Sequence, residues 1–129
     1  MNKERVYSNA PWEKQVGYCR ALKTGNQIYI TGTAAVADDG SVYAPNNPYE
    51  QARRCIEIIK TALEPFKADL SNVVRTRMFV TNIKLWEDFG KAHKEYFHKC
   101  PPATTMVEVK ALIHPDMLIE IEADAWVES

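Results

Sequence analysis

The chain has 129 residues, 46% of them hydrophobic and 26% charged, a balance that excludes disorder and low complexity and suits a soluble globule. At this length a folded chain buries roughly two-thirds of the surface that its unfolded form exposes, so one domain over residues 1–129 is expected. With 16 basic against 17 acidic residues, the net charge of −1 lacks the basic excess that phosphate-driven binding uses, and no nucleic-acid partner is expected.

Residues Met1 to Trp12 alternate charged and polar types without the apolar run of a signal peptide, and no stretch approaches the length of a membrane span. A cytoplasmic protein without a membrane partner is the expectation. Cys19, Cys55 and Cys100 are odd in number and far apart, which predicts reduced thiols.

After this polar arm, residues 16–33 alternate around Thr24-Gly25-Asn26, the signature of a β-hairpin. The alternation puts Cys19, Ala21, Ile28 and Ile30 on one face. It puts Tyr18, Arg20, Tyr29, Thr31 and Thr33 on the other, with Tyr18 opposite Thr31 or Thr33. A loop follows around Asp38-Asp39-Gly40. Asn47-Pro48-Tyr49-Glu50 then supplies an N-cap, an N1 proline and an acidic N3 residue.

From there Ala52, Cys55, Ile56, Ile59, Ala62, Leu63 and Phe66 recur at helical spacing, an apolar stripe suited to packing on a sheet. Val73 to Val80 reads as a strand with Val74, Thr76, Met78 and Val80 opposite Arg75, Arg77 and Phe79. A second amphipathic helix is marked by Leu85, Trp86, Phe89, Ala92, His93, Tyr96 and Phe97 and cannot pass Pro101-Pro102. Strands return at Thr104 to Val109 and Leu118 to Val127. The latter directs Ile119, Ile121, Ala123, Ala125 and Val127 away from Glu120, Glu122, Asp124 and Trp126.

The order β-β-α-β-α-β-β predicts an α+β two-layer sandwich, a mixed sheet with two helices on one face. The other face then carries Glu120, Glu122 and Asp124 beside Arg75 and Arg77. These charges suit cross-strand ion pairs on a solvated face, or burial against partner subunits.

Few residues signal chemistry directly. His93, His98 and His114 are the only imidazoles. The five-residue step from His93 to His98 is wrong for two ligands on one helix face, so no metal site is expected. Cys100 beside His98 lacks an orienting third group. No phosphate-binding, dinucleotide, serine-hydrolase or Cys-x-x-Cys motif occurs. Glu120 is the candidate general acid/base, provided that a pocket partly desolvates it; without one it is a solvated strand carboxylate.

The run Pro102-Ala103-Thr104-Thr105-Met106-Val107-Glu108-Val109, with Ile119-Glu120-Ile121-Glu122-Ala123, resembles the C-terminal signature of the RidA (YjgF, reactive-intermediate deaminase) family. Gly17-Tyr18, Ile28 to Gly32, Gln51-Ala52 and Arg75-Thr76 to Phe79-Val80 extend the likeness over essentially the whole chain. The resemblance implies a chorismate-mutase-like fold and a homotrimer with small-molecule sites between subunits. It also implies hydrolysis of enamines and imines without metal or cofactor.

Carried over, Glu120 becomes the water-positioning catalytic glutamate, and Tyr18, Thr31, Gly32, Thr104, Thr105 and Met106 become substrate-binding positions. The deaminases read Pro-Ala-Arg-Ser where this chain reads Pro102-Ala103-Thr104-Thr105, so Thr104 stands at the position of the carboxylate-gripping arginine. Met106 replaces a frequent cysteine, Gly90 a frequent asparagine and Thr31 a usual serine, and an extra residue lies near Ile113-His114. A threonine hydroxyl offers one neutral hydrogen bond where a guanidinium offers two charge-assisted ones, so an altered substrate is expected. Arg20 could substitute as anchor or serve in a surface ion pair. The alternative function is a non-catalytic metabolite-binding module using the same cleft. Endoribonuclease activity conflicts with the negative charge and the lack of a paired His or Lys site.

Overall fold

The structure is a computed structural model that describes residues 2–8 and 10–128. Its strands are β1 (Lys3–Val6), β2 (Ala21–Thr24), β3 (Gln27–Ala34), β4 (Val73–Val80), β5 (Ala103–Glu108) and β6 (Ile119–Trp126). Helix α1 (Pro48–Leu63) lies between β3 and β4 in the chain, and α2 (Trp86–Phe97) between β4 and β5. The strands form one mixed sheet in the order β1-β2-β3-β6-β4-β5. Only the β4–β5 pair, joined through α2, is parallel, as a helical crossover requires.

Asn47 caps α1 as its spacing predicts, its side chain accepting from the Glu50 N–H at 3.0 Å. Ala52, Cys55, Ile56, Ile59, Ala62 and Leu63 from α1 join Phe89, Ala92 and Phe97 from α2 in one core. Ala21, Ile28, Ile30, Met78, Val80, Ile119, Ile121, Ala123 and Ala125 meet them from the sheet. Each fully buried large apolar side chain contributes about 1.5–3 kcal/mol, so this interface dominates the fold's stability. In α2, Trp86 departs from the expected stripe: it is exposed, at the first position of the helix and directly after a 3-10 turn at Ile83–Leu85.

An added edge strand, the choice of turn and two bulges complete or correct the alternation. The N-terminal arm contributes β1, paired with β2 in register Lys3↔Thr24 through Val6↔Ala21; its charges suit an edge strand. In the hairpin, the two-residue turn is Gly25-Asn26, with Gly25 at φ +59°, and Tyr18 lies outside the ladder. Strand β3 bulges: Ile30 pairs with Ala123 and Thr33 with Ile121, so Thr31 and Gly32 together oppose Glu122. The extra residue turns Thr33 into the core, where it is fully buried, instead of leaving it beside Tyr29. A second bulge in β4 pairs Val73 with Ala125 and Arg75 with Asp124. Val73 is therefore buried and Val74 is 51% exposed, the reverse of the expected phase.

Candidate functional site

Beside β3, a cavity of about 790 Å³ opens between the N-terminal segment, the β3 bulge, α1 and the loop before β6. Its size is that of a small-molecule site. Tyr18, Arg20, Gly32 and Glu120 line it together, so the structure brings three of the expected site residues into one space. Glu120 comes from β6, where Ile119 and Ile121 point into the core and force the intervening side chain outward.

The β3 bulge makes room for that side chain. A Cβ at Gly32 would lie 2.2 Å from the Glu120 Oε1 and 3.2 Å from its Cδ, so any larger residue there collides with the carboxylate. Burial pushes the Glu120 carboxyl above the usual carboxylate range; the Arg20 guanidinium opposes that rise and the neighbouring Glu122 charge adds to it. A partly desolvated carboxyl of this kind can exchange protons nearer neutrality than an exposed one.

Beside Glu120, Arg20 is held in a buried ion pair, not the surface pair or free anchor that the sequence suggests. Its Nη2 is 3.1 Å and its Nε 3.2 Å from the Glu13 Oε2. Its Nη1 donates to the Gly32 carbonyl at 3.1 Å and the Thr33 Oγ1 at 3.2 Å. Glu13 is 3% exposed and accepts further from the Ser8 N–H and hydroxyl. It sits at the start of a short π-helix (Glu13–Gly17) that ends at Tyr18. Arg20 thus clamps the bulge under Glu120 to the arm that carries Tyr18. Sequence reasoning missed Glu13, whose polar neighbours disguise a buried acid.

Gln51, also missed, is fully buried. Its amide donates to the Asp116 carbonyl at 2.9 Å and accepts from the Leu118 N–H at 2.8 Å. These bonds fix the loop that brings Ile113 and Met117 to the cavity.

The remaining expected residues lie elsewhere. Thr31 donates from its hydroxyl to the Cys19 carbonyl at 2.8 Å and does not line the cavity. Thr104, Thr105 and Met106 lie on β5, with β4 between them and β6. Within one chain they therefore do not meet Glu120. The Thr104 hydroxyl lies 2.6 Å from the Thr76 Oγ1, which lies 2.9 Å from the His93 Nε2. His93 stacks against Phe97, their ring centroids 4.6 Å apart, and burial lowers its pKa below the ordinary imidazole value.

Cys55 is no nucleophile: burial pushes its thiol far up, and its Sγ faces the Ile119 carbonyl. Among the described residues, no group of three or more His, Cys, Asp or Glu side chains is placed to hold a metal ion. On the sheet face away from the helices, Arg77 pairs with Asp124 at 3.3 Å and Glu122 at 3.8 Å. Tyr29, Val74, Val107 and Trp126 are exposed.

Residues 8–127 match the family model described as Endoribonuclease L-PSP. The chain belongs to this YjgF/RidA family. A YjgF/YER057c/UK114 family protein of Mycobacterium tuberculosis shares 40% identity with it at a TM-score of 0.87, over 98% of this chain and all of that one. A RutC family protein of Pyrococcus abyssi is 34% identical over 99% of this chain and 100% of its own length. The YjgF gene product of E. coli is 27% identical with a TM-score of 0.83, covering 97% and 99% of the two chains. The architecture is thus the chorismate-mutase-like α+β fold of the YjgF/RidA family.

Proposed function

We propose that the chain is a cofactor-independent hydrolase of C=N bonds, an imine or enamine deaminase. The observation that carries this reading is the partly desolvated Glu120 carboxyl, placed over Gly32 in a cavity shared with Tyr18. As base, Glu120 takes a proton from water while the oxygen bonds the imine carbon and the C=N π electrons pass to nitrogen. That proton goes to the nitrogen and gives a carbinolamine; Glu120 then takes the carbinolamine hydroxyl proton and passes it to the nitrogen as the C–N bond breaks, so that a carbonyl compound and ammonia leave. Tyr18 and Gly32 form the near wall of the site in this reading, and Thr31 supports it by holding the Cys19 carbonyl.

Thr104, Thr105 and Met106 enter the reading through a neighbouring subunit, in a homotrimer with small-molecule clefts between chains. The exposed Tyr29, Val74, Val107 and Trp126 support association through the open sheet face. Free Cys19, Cys55 and Cys100, and the absence of a helix long and apolar enough to cross a membrane among the described residues, fit a cytoplasmic setting. Sedimentation tests the assembly: a monomer at micromolar concentration removes the shared cleft.

A second reading, a binding module without turnover, draws on Thr104 standing where the deaminases anchor a carboxylate. Ribonuclease chemistry, despite the family description, finds no His or Lys among the described residues lining the cavity. The experiment is ammonia release from imines generated in situ by an amino-acid oxidase or an amine oxidase, with wild type, Glu120→Gln and Thr104→Arg. Turnover lost in Glu120→Gln supports the hydrolase. Saturable ligand binding that survives Glu120→Gln, with no turnover in wild type, supports the binding module.

A further inference from the structure

The cavity's charges are unevenly matched. Two guanidiniums line it, and both already face acids: Arg20 pairs with Glu13, and Arg54 lies 3.3 Å from Asp38 while donating to the Val36 carbonyl at 2.8 Å. Glu57, also on the wall, accepts from the Tyr96 hydroxyl at 2.6 Å. Of the carboxylates lining the cavity, Glu120 is the one half-buried beside the bulge, and among the described residues the guanidinium that acts on it, Arg20, is already held by the buried Glu13, while Arg54 faces the exposed Asp38. A carboxylate brought to this end would meet Glu120, with Glu122 behind it, and would compete with Glu13 for Arg20.

Away from Glu120 the walls mix polar residues, Ser8, Asp38, Arg54, Glu57 and Thr61, with a larger apolar surface. Trp12, Val16, Val36, Ile58, Ile113 and Met117 supply that apolar surface of the 790 Å³ cavity. A ligand that is polar throughout would leave this surface wetted, whereas an aromatic or branched aliphatic body would cover it.

We propose that the cavity takes a carboxylate-free amine, or the imine of one, with its nitrogen at Glu120 and an apolar body lying along α1 and the loop before β6. The proposal deepens the hydrolase reading by naming its substrate class, and rests on that reading for the placement of the reactive nitrogen. It differs from an imine of an α-amino acid in having no acid to anchor, which accords with Thr104 at the anchoring position. Glu120 attracts the protonated nitrogen; Tyr18 and Arg20 bound the head, and Arg20 contributes no free charge.

The test is isothermal titration of the unmodified protein, at neutral pH, with three probes of similar apolar body: 2-phenylethylamine, 3-phenylpropanoate and phenylalanine. The amine is expected to bind at least about tenfold more tightly than either acid, the order for a partly screened contact whose sign is reversed. Glu120→Gln should shrink that preference to within about threefold, because the amide keeps the shape and loses the charge. Intermolecular nuclear Overhauser effects from the probe ring to the methyls of Ile58, Ile113 and Met117 in the wild type make the placement checkable without any variant.

Equal or tighter binding of 3-phenylpropanoate overturns the proposal, as does failure of the amine to bind at millimolar concentration or a probe contacting none of the three methyls. Amine binding with the expected preference but no ammonia release from the corresponding imine removes the hydrolase reading and leaves this inference standing. Hydrolysis of α-imino acids with no preference against the carboxylate does the reverse.

Discussion

Gly32→Ala tests the site at its tightest point. The added Cβ would lie 2.2 Å from the Glu120 Oε1, while ordinary contact begins near 3.4 Å, so the carboxylate must retreat by about 1.2 Å. The obstacle is the end of a flexible side chain, and Gly32 does not need a positive φ, so the backbone can stay. Rotating Glu120 away from its well costs about 0.5–1.5 kcal/mol, a Tm loss of several degrees at most. Displacement of a catalytic group by about 1 Å costs on the order of a hundredfold in rate, so turnover should fall far more than stability. Ammonia release from the imine of 2-phenylethylamine, made in situ by an amine oxidase, reads the first quantity and a thermal melt the second. A variant that melts near wild type and turns over within about threefold of it would refute the role assigned to Glu120 above Gly32.

Three further outcomes follow from the same geometry. Arg20→Met strands Glu13 without its cation at 3% exposure and should cost about 3–5 kcal/mol in urea unfolding, while Glu13→Leu with Arg20→Met should recover much of it. Because burial raises the Glu120 carboxyl, the folded chain holds that proton more tightly than the unfolded one. Stability from this group is therefore full at acid pH and lost as pH rises through the folded value. Glu120→Gln should accordingly raise Tm near neutrality and leave it unchanged in acid, as melts across pH would show. His93 has the opposite sign: its lowered pKa means that stability is lost as pH falls below the unfolded value of 6.5, and His93→Gln should flatten that slope in the same melts.

The element order, the capped start of α1, the two apolar stripes and the inward row from Ile119 to Ala125 were legible in the sequence. They rest on local periodicity: a helix or strand that buries one face must write that face at a spacing of 3.6 or 2 residues. Glu120 and Tyr18 were legible through resemblance, and Gly32 with them, although only the bulge says why a glycine stands there. What the tertiary structure alone decided begins where periodicity breaks. A bulge inserts one residue without a signature of its own, so Thr33 and Val74 changed faces against the alternation. Glu13 looked like one more charge in a polar arm, yet the partner that makes its burial tolerable, Arg20, is supplied by a different segment of the fold. The charge of the cavity is likewise a sum over the N-terminal segment, β3, α1 and β6, and no local stretch of sequence contains it. Periodicity reports which side of an element is wet, but which acid meets which base depends on distances that exist only after the sheet has closed against its helices.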